Sequence, residues 1–270
     1  MQSVSAEAAL HVESVGDGPP LVLLHGFAMH GGLFAPVLHD LAQRHRVHVV
    51  DLPGHGHSDA TKAATIADVA DHVMASLELS SPAAIVGWSY GGLVAQRIAS
   101  AHPEAVASLV LVCTSPRFVA GDDWPHAMTR DTLSRFGDEL RVSYRLTLQR
   151  FLTLQVQGSE AGRATLASLR QALFARNAPS QATLAAALAM LMDTDARDAA
   201  AAIRAPTLVM TGSRDALTPA AAGAWLAQAI PGARHAAIDG AAHAPFLSHR
   251  EAFVDAVRSF LDEHAELPRP

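Results

Sequence analysis

Three side chains that lie far apart in the 270-residue chain, Ser89, Asp215 and His243, have the types and the order needed for nucleophilic acyl transfer. A serine hydroxyl is a poor nucleophile until a base removes its proton and a third group orients that base. Ser89 sits in Gly87-Trp88-Ser89-Tyr90-Gly91, a G-x-S-x-G pentapeptide between an apolar run at 83–86 and a helical stretch at 93–100. A serine on a sharp strand-to-helix turn projects its hydroxyl off the sheet edge, at the positive end of the helix. The flanking glycines are expected because a side chain there would collide with the strand or helix folded back on either side. The alternative is a small-residue turn that happens to contain serine, and the strand and helix on its flanks weigh against it.

His243 lies in Gly240-Ala241-Ala242-His243-Ala244-Pro245-Phe246, directly after the last expected strand, where small neighbours leave its ring room to reach a serine. The other histidines include strand-edge and helix-surface positions that suit solvation or packing. Asp215 follows the expected strand at 207–210, and its competitor Asp239 stands only four residues before His243, where aspartate usually caps a turn. The order Ser89, Asp215, His243 is that of G-x-S-x-G hydrolases and favours Asp215. Ester cleavage builds negative charge on the carbonyl oxygen, so two backbone N–H groups should converge on it. Tyr90, next to the nucleophile, is one expected donor. Phe27, in the loop His25-Gly26-Phe27, is the other, and its ring can wall the acyl pocket unless it serves ordinary loop packing.

His55-Gly56-His57-Ser58-Asp59 is an H-x-H-x-D string of the kind that binds zinc in metallo-β-lactamase-type hydrolases. That string normally ends in a further histidine, where this chain has Ala60, and the preceding Asp51-Leu52-Pro53-Gly54 suits the tight-turn loop of serine hydrolases. No metal or organic cofactor is therefore expected. A non-catalytic binding protein on the same fold is the remaining rival. The complete Ser, Asp and His set argues against it, although fold alone never fixes function.

The elements around these residues alternate. Strands are expected at 10–15, 21–24, 46–50, 83–86, 108–113, 206–212 and 234–238, with helices at 33–44, 66–79, 93–100, 219–229 and 250–264. Such alternation predicts an α/β fold, a mostly parallel central sheet with helices on both faces. Between 116 and 204 no strand is evident, only Arg-, Ala- and Leu-rich helical sequence broken at Gly137, Gly158 and Pro179. The expected organisation is a core of residues 1–115 and 205–270 with an all-helical lid, 116–204, spliced into it.

Half of the residues are apolar and 17% are charged, the balance of a globular enzyme rather than a disordered chain. No apolar run reaches membrane-spanning length, and the N-terminal residues lack the basic start and apolar core of an export signal. The tail 266–270 is expected to fray. The single cysteine, Cys113, closes an apolar strand and suits buried packing in a reducing compartment, so a cytoplasmic protein, and a monomer, is expected. A net charge of −6 argues against general nucleic-acid binding. The charge is uneven: residues 141–176 hold six arginines and one acid, a balance of +5 that leaves −11 elsewhere.

Along nearly its whole length the chain resembles the α/β-hydrolase superfamily. Within it, it is similar to the pimeloyl-[acyl-carrier protein] methyl ester esterases of biotin synthesis. The stretches that carry the likeness are Leu23-Leu24-His25-Gly26, Val50-Asp51-Leu52-Pro53-Gly54, Gly87-Trp88-Ser89 with Gly91-Gly92-Leu93-Val94-Ala95, and Ala241-Ala242-His243-Ala244-Pro245-Phe246. More specific, because lids usually diverge, are Asp123-Trp124-Pro125 and Arg150-Phe151-Leu152 with Leu154-Gln155. The resemblance implies a Ser89, Asp215 and His243 triad that hydrolyses the methyl ester of a pimeloyl chain carried on acyl carrier protein. It also implies an acyl site formed by Phe27, Tyr90, Phe151, Leu152, Thr153, Leu154 and Gln155. Phe27 stands where the family usually has tryptophan, and Tyr90 where it has leucine. Acyl carrier proteins are acidic, and a basic lid on an acidic protein would steer them. Arg150 and Arg163 match the family's basic lid positions, Arg145 and Arg170 lie near others, and Ala167 falls where an arginine is expected. A solvated helix face is the plain alternative for these arginines.

Overall fold

A computed structural model describes residues 10–265. The N-terminal nine residues and the tail expected to fray lie outside them. The expected strands form as β1 (Val12–Val15), β2 (Pro20–Leu24), β3 (Arg46–Val50), β4 (Ala83–Trp88), β5 (Val106–Val112), β6 (Thr207–Gly212) and β7 (Arg234–Ile238), with the edge strands β1 and β7 largely exposed. Together they make one sheet in the order β1-β3-β2-β4-β5-β6-β7. Only β1 runs antiparallel to its neighbour β3; every other pairing is parallel. Strands β2 and β4 are buried at every residue, as continuous apolar runs covered on both faces must be.

Helices α1 (Ala35–Leu41), α2 (Ile66–Ser76) and α3 (Tyr90–Ala101) fall in the first half of the sheet. Helix α3 starts three residues earlier than the sequence suggested. Gly91 and Gly92, which look like turn residues, are helical and small because strand β2 and Thr114 press against them. Between β5 and β6 the chain forms α4 (Arg130–Leu154), α5 (Gly162–Leu173), α6 (Gln181–Asp193) and the short α7 (Arg197–Ala200). Gly158 and Pro179 lie between these helices, but Gly137 does not break α4. It sits where Leu188 of α6 comes close, and the kink falls instead at Ser143 (φ −135°, ψ 51°). Then α8 (Ala220–Ala229), the single turn α9 (Pro245–Ser248) and α10 (Arg250–His264) complete the fold. Among the described residues no helix is long and apolar enough to cross a membrane.

Two clusters fasten the helical insertion to the rest of the fold. At its ends, Trp124 packs edge-on against Trp225, and Arg197 lies over the Trp124 ring while pairing with Asp123 and Asp195, both at 2.7 Å. Near α5, Arg176 donates to Asp51 at 2.8 Å and to Glu13 at 2.6 Å, while His30 Nε2 donates to the Ala172 carbonyl at 2.6 Å. Burial works against the charge of Asp51, but the His57 and Gly31 N–H groups and the Arg176 guanidinium hold its carboxyl below the usual carboxylate range. Arg176→Met removes the cation from a carboxylate whose side chain is fully shielded. Unfolding in denaturant is expected to show a loss of about 3 kcal/mol, the lower end for a broken buried pair because two backbone donors to Asp51 remain. A change within about 0.5 kcal/mol, the range of ordinary surface substitutions, would contradict this role.

Candidate active site

The sheet ends its central strand β4 at the G-x-S-x-G turn. Ser89 adopts φ 54° and ψ −116°, a backbone conformation that non-glycine residues rarely take. It is held there by its N–H donating to the Val112 carbonyl (2.9 Å) and by the Thr114 hydroxyl donating to its own carbonyl (2.7 Å). A Cβ on Gly91 would lie 2.6 Å from the His25 carbonyl oxygen, and one on Gly87 2.6 Å from that of Gly91. The close approach expected of both glycines is therefore what the turn requires.

The loops after β6 and β7 bring the other two groups to this turn. Ser89 Oγ lies 3.0 Å from His243 Nε2, and His243 Nδ1 lies 2.8 Å from Asp215 Oδ2. A carboxylate only accepts, so Nδ1 carries the proton and Nε2 is free to take the one from Ser89. The Trp88 indole donates to the His243 carbonyl (2.7 Å), and the His243 N–H donates to the Gln155 carbonyl (3.0 Å), which fixes the histidine loop on both sides. Burial opposes ionisation of Asp215, yet His243 and Thr218 hold its carboxyl below the usual range. Asp239 is exposed and accepts from the Ser213 hydroxyl (2.9 Å), which in turn accepts from Gly240 N–H, a turn-capping arrangement.

The loop carrying Phe27 is set by His25. Burial pushes the pKa of His25 down to about 3, so the ring is neutral; Nδ1 donates to the Gly26 carbonyl and Nε2 accepts from Leu52 N–H, both at 2.9 Å. Tyr90 is the first residue of α3, so its N–H belongs to the group that a helix leaves without an internal acceptor. Its side chain points elsewhere: the hydroxyl reaches Met190 Sδ at 3.5 Å.

Above Ser89 and His243 lies a cavity of about 100 Å³ walled almost wholly by apolar side chains. Phe27 meets Phe151 and Phe136 at ring-centre distances of 5.7 and 6.0 Å, so core and insertion share one aromatic wall. Of the insertion stretch assigned to the acyl site, Phe151 and Leu154, three apart on α4, line the cavity. Leu152 is buried away from it, Thr153 is exposed with its hydroxyl on the Gln149 carbonyl, and Gln155 contributes its carbonyl to the His243 loop. These residues and the Tyr90 side chain are not part of the wall. Phe118, Met128, Leu133, Phe136, Leu188 and Leu191 are, and sequence inspection missed them. Apolar residues at helical spacing look the same whether they face a core or a cavity.

The basic segment is less free than its composition suggests. Arg141 pairs with Asp138 and Arg150 with Glu139 (3.5 Å), two acids that fall just before the segment, while Arg176 is spent on Asp51 and Glu13. Arg145, Arg163 and Arg170 are exposed and form no ion pair among the described residues. The H-x-H-x-D string does not gather: His55 is buried with Nδ1 donating to the Pro53 carbonyl, whereas His57 and Asp59 are exposed. Among the described residues the one trio of close His, Cys or carboxylate ligand atoms is Cys113, Asp215 and His243, within 4.8 Å of one another.

Comparison with known proteins agrees with this geometry. The family profile described as alpha/beta hydrolase fold matches residues 19–250. The chain belongs to the α/β-hydrolase family. It is 46% identical to a pimeloyl-[acyl-carrier protein] methyl ester esterase of Chromobacterium violaceum, over 95% of this chain and 99% of that protein. A protein of the same name from Xanthomonas campestris pv. campestris is 44% identical over 93% of this chain and 98% of its own length. Among solved structures, the enol-lactonase from Burkholderia xenovorans LB400 superposes with a TM-score of 0.82 at 25% identity, covering 95% of this chain and 99% of the other. The likeness seen in the sequence motifs thus extends over almost the full α/β-hydrolase chain.

Proposed function

We propose that this protein is a serine carboxylesterase that hydrolyses the methyl ester of pimeloyl-[acyl-carrier protein], releasing methanol and the free terminal acid for biotin synthesis. The observation that carries the chemistry is Ser89 Oγ lying 3.0 Å from a histidine nitrogen at the floor of an apolar cavity. The substrate follows from the name borne by the relatives that are 44–46% identical over nearly the whole chain.

Ser89 attacks the ester carbonyl as His243 Nε2 takes its proton, and the imidazolium so formed is held by Asp215. The oxyanion is received by the N–H groups of Phe27 and Tyr90. His243 then protonates the departing methoxide, and a water activated by the same nitrogen hydrolyses the acyl-enzyme. The methylene chain of the substrate fits a wall of phenylalanine and leucine, and no step requires a metal or organic cofactor. The enzyme acts as a cytoplasmic monomer, and residues 116–204 serve as the lid through which the carrier protein is met.

The test is rescue of a biotin-requiring bacterium that lacks its own esterase, with Ser89→Ala as the silent control. Failure of the wild-type gene to rescue, when the purified protein cleaves soluble methyl esters, would move the assignment to a general carboxylesterase or lactonase. The unpaired arginines supply a second check. Arg145→Glu combined with Arg163→Glu is expected to lower kcat/KM on the carrier-bound ester about tenfold, with the deficit fading as salt rises. Short soluble esters should be cleaved as before. Equal losses on both substrates would argue against docking.

A further inference from the structure

The Asp215 carboxylate receives four donors, and they divide between its two oxygens. Oδ1 accepts from the backbone N–H groups of Leu217 (2.9 Å) and Thr218 (3.0 Å), which by themselves close the turn after β6. Oδ2 accepts from His243 Nδ1 (2.8 Å) and, at 2.6 Å, from the Thr218 hydroxyl, which also lies 3.4 Å from that same nitrogen. Thr218 is 3% exposed. A turn cap needs only the first oxygen, so the hydroxyl adds nothing to the turn and acts on the oxygen that serves His243.

We infer that Thr218 is a positioning residue of the triad, whose hydroxyl locks the carboxylate plane and shares the charge of the oxygen that orients His243. This rests on the serine-esterase reading above. With Oδ1 held by two N–H groups and Oδ2 by a hydroxyl, the carboxylate cannot rotate about its Cβ–Cγ bond without losing donors in a dry site. Because the hydroxyl donates its proton to Oδ2, that oxygen divides its charge between the Thr218 hydroxyl and the Nδ1 proton. The remaining titratable group at the pair is Cys113, whose thiol is pushed well up by burial and by Asp215, so it stays neutral.

The sign of the effect follows. Without the hydroxyl, the charge on Oδ2 acts undivided on the imidazole and favours the protonated form of the Asp215–His243 pair. In Thr218→Val the acid limb of the kcat/KM profile on a soluble methyl ester should therefore move to higher pH by ~0.5–1 unit, with kcat at the plateau down about tenfold. Thr218→Ala should show the same displacement, and provides the reading if the valine variant folds poorly. Thr218→Ser, which keeps the hydroxyl but loses the methyl group, should restore the wild-type limb. A purely structural role would lower thermal stability and leave the limb in place. Superimposable profiles for wild type and Thr218→Val, or a serine variant displaced like valine, would overturn the inference. Turnover by Ser89→Ala would instead remove the reading on which it rests, so the two failures are separable.

Discussion

Alanine at position 89 is expected to lower kcat by about a million-fold, the scale seen when the serine of a working triad is removed. The residual rate would come from the oxyanion donors and the cavity alone. The fold should survive. The hydroxyl makes its one side-chain hydrogen bond to His243, and alanine is no more strained than serine at φ 54°. Active-site titration with a serine-directed phosphonate should label the wild type and leave the variant untouched, while thermal melts of the two stay close. Hydrolysis by Ser89→Ala at near the wild-type rate would end the acyl-enzyme mechanism outright.

The second large effect is expected for Asp215→Asn, a loss of about 10⁴-fold in kcat. The hydrogen bonds decide how the amide must sit. Leu217 and Thr218 both offer N–H groups to the Oδ1 position, so the amide oxygen goes there and its NH2 group faces His243 Nδ1. The imidazole must then accept at Nδ1 and carry its proton on Nε2, the nitrogen that faces Ser89. The base is thereby presented in the wrong tautomer although hardly an atom has moved. Asp239→Asn is the matched control: among the described residues that carboxylate bonds only the Ser213 hydroxyl at the surface, and activity should change by less than about twofold. Reversal of the two outcomes, measured side by side on one methyl ester, would transfer the role of acid to Asp239.

The Ser89, Asp215 and His243 cluster was legible because each of its members sits in a local pattern with a physical reason. Ser89 lies between two glycines at the end of an apolar strand, and Asp215 and His243 follow the last two strands in the order this topology needs. The choice of Asp215 over Asp239 could be argued from order alone, and the hydrogen bonds of the two residues follow that argument. The surroundings were less legible because they depend on partners remote in sequence. Arg176 is bonded to a carboxylate 125 positions away, which no count of charges in its own segment reveals. Arg150 loses part of its freedom to Glu139 through the fold of a single kinked helix. For residues 151–155 the helical period was available and would have separated Phe151 and Leu154 from Leu152 and Thr153. A resemblance that covers a continuous stretch hides that alternation. Tyr90 shows a related limit, since its side chain reaches Met190 of α6 rather than the cavity.

The Arg176 clasp also constrains how a long substrate gets in. Swinging α5, with the Arg176 that follows it, off the core would strand the Asp51 charge at a fully shielded position, at a cost of several kcal/mol. That part of the insertion is therefore a sealed jamb, and a doorway to the cavity has to lie elsewhere. Leu154 marks it, for it lines the cavity and yet is 43% exposed. The same helix carries exposed Val142 and Leu146 beside Arg145. Under the function proposed above, an acyl chain threading inward at Leu154 would leave its carrier outside, on the threshold, against the helix that bears exposed Arg145.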